Sequence, residues 1–124
     1  MHHSPGFLGL VENERRLVKE ISVAEAKQRL SANSKSVLMD VREDNEWHKG
    51  HAVEATHLGK GILERDLETL LPDSETEILM YCGGGYRSVL TASAAGKLGY
   101  NKCFSIIGGY KAMVEANWPM SVKP

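Results

Sequence analysis

The sequence predicts an α/β fold, a parallel sheet flanked by helices on both faces. Three observations predict it. Short apolar runs such as Val37-Leu38-Met39 and Ile78-Leu79-Met80-Tyr81 are continuous rather than alternating, as in strands buried on both sides. Stretches of helical spacing lie between these runs. One junction, residues 77–98, reads as strand, glycine loop and helix, which sets loop side chains at the carboxyl end of a strand. Ligands of open parallel sheets bind at such ends.

The elements follow in order. Pro5 suits a first helical turn, and Phe7, Leu10, Val11 and residues 14–17 continue at helical spacing. An extra N-terminal helix is therefore predicted, packed outside the main domain. The chain divides into an extension, residues 1–17, and a domain, residues 18–124. Residues 18–21 read as a short strand. Ser22 is an N-cap, and Glu25 three residues on forms a capping box for a helix to about residue 30. After a loop at 31–35, residues 36–41 form a buried strand. A single helical turn covers 43–47. Residues 50–56 are loop, with a short strand over 56–58. An amphipathic helix over 63–71 ends at Pro72. Residues 77–81 are the central strand. The next helix opens at Ser88 or its neighbours, and Gly99 closes it. Residues 102–107 form a last strand, Gly108-Gly109 a turn, and 110–116 a closing helix.

Composition narrows the class. The 124 residues suffice for one domain with one sizeable core. A formal net charge of -1 favours neither nucleic acid nor an anionic membrane. No apolar run approaches the roughly 20 residues that span a bilayer. The start, Met1-His2-His3-Ser4-Pro5, lacks the pattern of a signal peptide, and no function is attached to His2 or His3. Two cysteines are too few for a disulfide scaffold. A cytoplasmic protein is expected, in which a loop cysteine serves chemistry.

That cysteine opens the run Cys82-Gly83-Gly84-Gly85-Tyr86-Arg87-Ser88. A glycine loop entering a helix N-terminus turns backbone N–H groups inward, and the helix dipole adds partial positive charge. An anionic sulfur placed there is stabilised. Glycine also leaves the rim without side chains, so a ligand can approach closely. Arg87 supplies a full positive charge. Cys82 and Arg87 are the expected catalytic pair. Gly83, Gly84, Gly85, Tyr86, Arg87 and Ser88 are the expected substrate-binding residues.

Several segments together resemble a single-domain rhodanese, a sulfurtransferase. Asp40-Val41-Arg42 looks like that family's Asp-x-Arg element. Glu46-Trp47-His48-Lys49-Gly50-His51 resembles its Glu-aromatic-x-x-Gly-His element. Cys82 to Arg87 is similar to its active loop, and Gly108-Gly109 to its late double glycine. The match covers residues 18–118. Two positions depart from it. Ala52-Val53-Glu54 stands where the family has an apolar residue, Pro and Gly, and Met113 stands where it often has tryptophan.

The resemblance implies transfer of a sulfane sulfur from a donor such as thiosulfate, through a persulfide on Cys82, to cyanide or a thiol, including a protein thiol. It implies no metal and no organic cofactor. Asp40, Arg42 and His51 are expected as structural support. His48, His51 and His57 lack zinc-ligand spacing. Cys103, which begins the last strand whereas Cys82 ends its own, is expected to pack in the core. Two alternatives stand beside this reading. One is a phosphatase or arsenate-reductase-like enzyme on the same fold, whose loop carries one residue more than the six from Cys82 to Arg87. The other is a non-catalytic sulfur-carrier or sensing module.

Overall fold

The computed structural model describes residues 3–122, so His2 lies outside the described residues. In chain order the elements are α1 (Pro5–Arg15), β1 (Lys19–Ile21), α2 (Val23–Ala32), β2 (Val37–Asp40), α3 (Asp44–Lys49), β3 (His51–Ala52), β4 (Thr56–His57), α4 (Lys60–Leu70), β5 (Ile78–Tyr81), α5 (Arg87–Lys97), β6 (Cys103–Ile106), α6 (Gly109–Glu115) and β7 (Met120–Ser121). Five strands form one parallel sheet in the order β1-β6-β5-β2-β4.

The parity of β5 divides the core between the two faces. Ile78, Met80 and Cys82 pack with Leu63 and Leu67 of α4 and Ala92 and Ala95 of α5. Leu79 and Tyr81 pack with Ala26 of α2 and Met113 of α6 on the other side. All four β5 residues are buried, as the continuous apolar run requires. The predicted architecture, with helices on both faces and an added N-terminal helix, is the one observed.

Differences are local. Residues 50–56, expected as loop, contain β3, which pairs antiparallel with the equally unexpected β7. Each is two residues long, too short to show a period. α4 starts three residues earlier than its apolar pattern, at Lys60 after the N-cap Gly59. Ser22 caps α2 by accepting the Glu25 N–H, but the Glu25 carboxylate turns to Arg29 instead of closing the box. α1 lies on α5, with Val11 buried and Glu14 accepting hydrogen bonds from Ser93 and Lys97.

The carboxyl end of β5 is fastened to α6. Tyr110 N–H donates to the Cys82 carbonyl at 2.7 Å, and Lys111 N–H to the Gly83 carbonyl at 3.1 Å. This closeness requires Gly109, whose φ is +54 and where a Cβ would lie 2.4 Å from the Cys82 carbonyl oxygen. Gly96, near the end of α5, has nothing within 4 Å of such a Cβ. Gly109→Ala should therefore cost about 2 kcal/mol or more. Gly96→Ala should stabilise by about 0.5 kcal/mol, since alanine loses less backbone entropy in a helix. Urea unfolding of the two variants measures both, and similar midpoints would contradict the packing described.

Candidate active site

Cys82 is the first residue beyond β5, and Arg87 begins α5. Three groups converge on the Cys82 Sγ: Gly85 N–H at 3.2 Å, Ser88 N–H at 3.3 Å and Ser88 Oγ at 3.5 Å. Ser88 Oγ in turn lies 2.7 Å from Ser105 Oγ on β6. Both serines are fully buried, and Cys82 is 1% exposed. The sulfur thus sits at an amide cluster on the N-terminus of an eleven-residue helix, a setting that stabilises negative charge.

The three glycines serve different ends. Gly85 alone among them has a positive φ, +96, and its missing Cβ leaves room for the Gly108 N–H, 3.0 Å from where that atom would stand. At Gly83 a Cβ would press on the Arg87 guanidinium at 3.0 Å, and at Gly84 it would make ordinary contact with the Tyr86 ring. The expected inward turn of successive N–H groups thus narrows to the Gly85 and Ser88 amides. Tyr86 meets the His3 ring edge-on at 4.6 Å and lies under Arg15 at 6.0 Å, so the N-terminal extension touches the loop.

Arg87 has a partner that sequence reasoning did not give it. Its Nη1 donates to Glu46 Oε1 at 2.6 Å and its Nη2 to Glu46 Oε2 at 3.0 Å. Glu46 also accepts the Glu43 N–H at 3.0 Å, closing a capping box that starts α3. The Arg87 hydrogen bonds hold the Glu46 carboxyl down from the usual 4.5 to about 2, against a smaller opposing effect of burial. Arg87, expected to supply a full positive charge, presents both terminal nitrogens to Glu46. The partners are 41 residues apart, and their signal in the sequence was Glu46 at the head of the Glu-Trp motif.

The expected supporting residues build the wall behind the loop. Arg42 Nε lies 3.1 Å from each Asp40 oxygen, and its Nη2 donates to Asp40 Oδ2 at 2.8 Å and to the Gly50 carbonyl at 2.6 Å. Both side chains are buried, and the Arg42 guanidinium lies 4.1 Å from the Tyr110 ring centroid. Burial, reinforced by Asp40, pushes the Tyr81 phenol up, and the phenol oxygen accepts the Ala52 N–H. The rings of His51 and His57 stack on Trp47 at 3.4 and 4.7 Å. His51 Nδ1 is 3.0 Å from the Trp47 carbonyl, and His57 Nε2 is 2.9 Å from the Arg42 carbonyl.

Asp40, Arg42 and His51 thus gather around α3, and the hydrogen bonds to the sulfur come from the loop and α5. Among the described residues no group of three His, Cys, Asp or Glu side chains is placed to hold a metal ion. No helix among them is long and apolar enough to cross a membrane. Cys103 begins β6 opposite Ile78, at the far end of the ladder from Cys82, and both thiols are free. Burial pushes the Cys103 thiol up to about 12.

Known proteins resemble this chain in sequence and in fold. The family model of the rhodanese-like domain matches residues 22–116. YtwF of Bacillus subtilis, provisionally named a sulfurtransferase, is 33% identical over 107 residues, covering 86% of this chain and 96% of that protein. The human single-domain sulfurtransferase superposes with a TM-score of 0.70 at 25% identity, over 79% of this chain and 96% of that one. A Rhodopseudomonas palustris protein described as a possible tyrosine phosphatase superposes with a TM-score of 0.84, over 98% of each chain. At 22% identity that last likeness is one of fold.

The Glu46–Arg87 pair makes stability depend on pH in a defined sense. The folded carboxyl is depressed to about 2, so its contribution is present above the unfolded value near 4.5 and is lost as pH falls toward 2. Glu46→Gln should be less stable than wild type at neutral pH, and the gap should close as acid is added. Urea midpoints at about pH 7, 4 and 2.5 measure it. A gap that stays constant would mean that the pair does not hold the loop.

Proposed function

We propose a sulfurtransferase reading on one premise: this chain belongs to the rhodanese-like domain family. The observation that carries it is the convergence of two N–H groups and a hydroxyl on a single sulfur atom. Donors gathered on one atom suit a thiolate nucleophile, the state that a persulfide cycle regenerates. Donors for a phosphoryl group would have to spread over three oxygens, and a loop of six residues from Cys82 to Arg87 is short for that.

In this reading Cys82 is the nucleophile. Its thiolate attacks the outer sulfur of thiosulfate. A sulfur–sulfur bond forms on Cys82, the bond within thiosulfate breaks, and sulfite leaves with the electron pair. The persulfide then yields its outer sulfur to cyanide, giving thiocyanate, or to a small or protein thiol, and the Cys82 thiolate is regenerated. Gly83 and Gly85 make room for the Arg87 guanidinium and the Gly108 N–H, and with Gly84 they keep the substrate-binding loop free of side chains. Tyr86, Arg87 and Ser88 shape the cradle, and Asp40, Arg42 and His51 keep its wall in place. The chemistry draws on no metal or organic cofactor. It suits a reducing, cytoplasmic setting, where the two thiols stay reduced.

The test is direct. Incubation with thiosulfate should add about 32 Da, one sulfur atom, to wild type and to Cys103→Ser, and nothing to Cys82→Ser. Thiosulfate:cyanide turnover should fall at least about a thousandfold in Cys82→Ser, with folding retained by circular dichroism. Retained turnover would overturn the nucleophile assignment. Aryl phosphate hydrolysis without a sulfur adduct would overturn the sulfurtransferase reading in favour of a phosphatase.

A further inference from the structure

The charge around the sulfur does not suit the donor used to assay it. Arg87 is the cation of the loop, and its two terminal nitrogens are matched by the two oxygens of Glu46 at 2.6 and 3.0 Å. The carboxylate stays ionised through the neutral range because it accepts from Arg87 and from the Glu43 N–H. Glu43 adds a second negative charge that Arg87 senses. The other nearby guanidinium, Arg42, is closed by its own carboxylate, Asp40. Both guanidiniums are therefore paired with carboxylates, and Glu43 stands near them. The donors on the sulfur itself, two main-chain N–H groups and the Ser88 hydroxyl, carry no full charge. An incoming dianion meets a paired guanidinium rather than a free one, with the Glu43 carboxylate near enough for Arg87 to sense it.

We propose that Glu46 is a specificity-determining residue: by pairing with Arg87 it makes the site a filter against dianionic donors, favouring persulfides and thiosulfonates that carry at most one negative charge at the reacting end. This deepens the sulfurtransfer reading and rests on it. For a persulfide R–S–SH, the Cys82 thiolate attacks the terminal sulfur. The new bond joins Cys82 to that sulfur, the bond to R–S breaks, and R–S⁻ leaves with the electron pair while the proton stays on the transferred sulfur. For a thiosulfonate the leaving group is the monoanionic sulfinate. No external oxidant or reductant enters either step. A neutral or basic carrier for the persulfide, small or protein, meets no repulsion from Glu43 and Glu46.

The experiment compares thiosulfate, a dianion, with benzenethiosulfonate, a monoanion, using cyanide as common acceptor. In wild type kcat/KM for thiosulfate should rise as salt screens the repulsion, at least about threefold between low salt and 0.5 M, with a smaller change for benzenethiosulfonate. Glu46→Gln should raise kcat/KM for thiosulfate about tenfold relative to benzenethiosulfonate and flatten the salt dependence. Glu46→Asp, which keeps the charge, should keep the wild-type preference between donors. A wild-type rate for thiosulfate that falls with salt would overturn the filter, and so would equal effects of Glu46→Gln on both donors. Intact mass separates the two levels. If neither donor adds a sulfur to wild-type Cys82, the sulfurtransfer reading itself fails. If both load but the donor ratio ignores Glu46, the filter alone fails.

Discussion

Two main-chain hydrogen bonds from the first turn of α6, to the carbonyls of Cys82 and Gly83, fix the path of the loop that carries the sulfur. They leave the amides on the opposite edge of the loop free to turn toward Sγ, and the Gly85 and Ser88 N–H groups do so. The arrangement tolerates no side chain at two contact points. A Cβ at Gly109 would enter the Cys82 carbonyl, and one at Gly85 would press on the Gly108 N–H. Gly109 and Gly85 thus serve one packing requirement, met from opposite sides of a single approach of backbone to backbone.

The second fastening comes from the front and is built in a chain of dependence. α3 has six residues, too few to be stable alone. Its start is held by the Glu43–Glu46 box and its end by Arg42, which grips the Gly50 carbonyl. Trp47, on which the rings of His51 and His57 stack, fixes its rotation. Only with α3 so oriented does Glu46 meet both terminal nitrogens of Arg87. The buried Asp40–Arg42 pair lies behind these contacts. Removing either partner would leave a charge buried without its counterpart, a loss typically of several kcal/mol. Its distance from the sulfur therefore does not make it dispensable.

What the sequence disclosed and what it hid follow from the range of the interactions. The strands β2, β5 and β6 were legible because each buried run is continuous, and α5 was legible because glycines and Cys82 mark its entry. β3 and β7 were not. Two-residue strands have no period, and their pairing joins His51–Ala52 to Met120–Ser121 across most of the chain. The active loop could be named from its own residues, whereas the state of Arg87 could not. A guanidinium reads as a free cation in a linear sequence, and the carboxylate that matches it comes from another element, 41 residues away. Ser105 was hidden for a similar reason. Within the run Cys103-Phe104-Ser105-Ile106 it reads as an ordinary core position, yet its hydroxyl pairs with the Ser88 hydroxyl, which touches the sulfur.

That hydroxyl pair bears on how the proposed cycle turns over. A lone hydroxyl buried in a core strand is costly unless it is hydrogen-bonded, and the 2.7 Å contact between Ser105 and Ser88 removes that cost. A thiolate only accepts hydrogen bonds. Opposite a Cys82 thiolate, the Ser88 O–H therefore turns to Sγ, and the Ser105 O–H turns to Ser88, so the two bonds polarise each other. Once a persulfide forms, negative charge moves to the outer sulfur and the inner Sγ becomes a poorer acceptor. The same three donors then stabilise Cys82 less than they did before. Groups fixed on the inner sulfur consequently favour the state in which the transferred atom has left. A cradle aimed at Sγ holds the free thiolate more tightly than the loaded one, which suits a residue that must pass its sulfur on rather than store it.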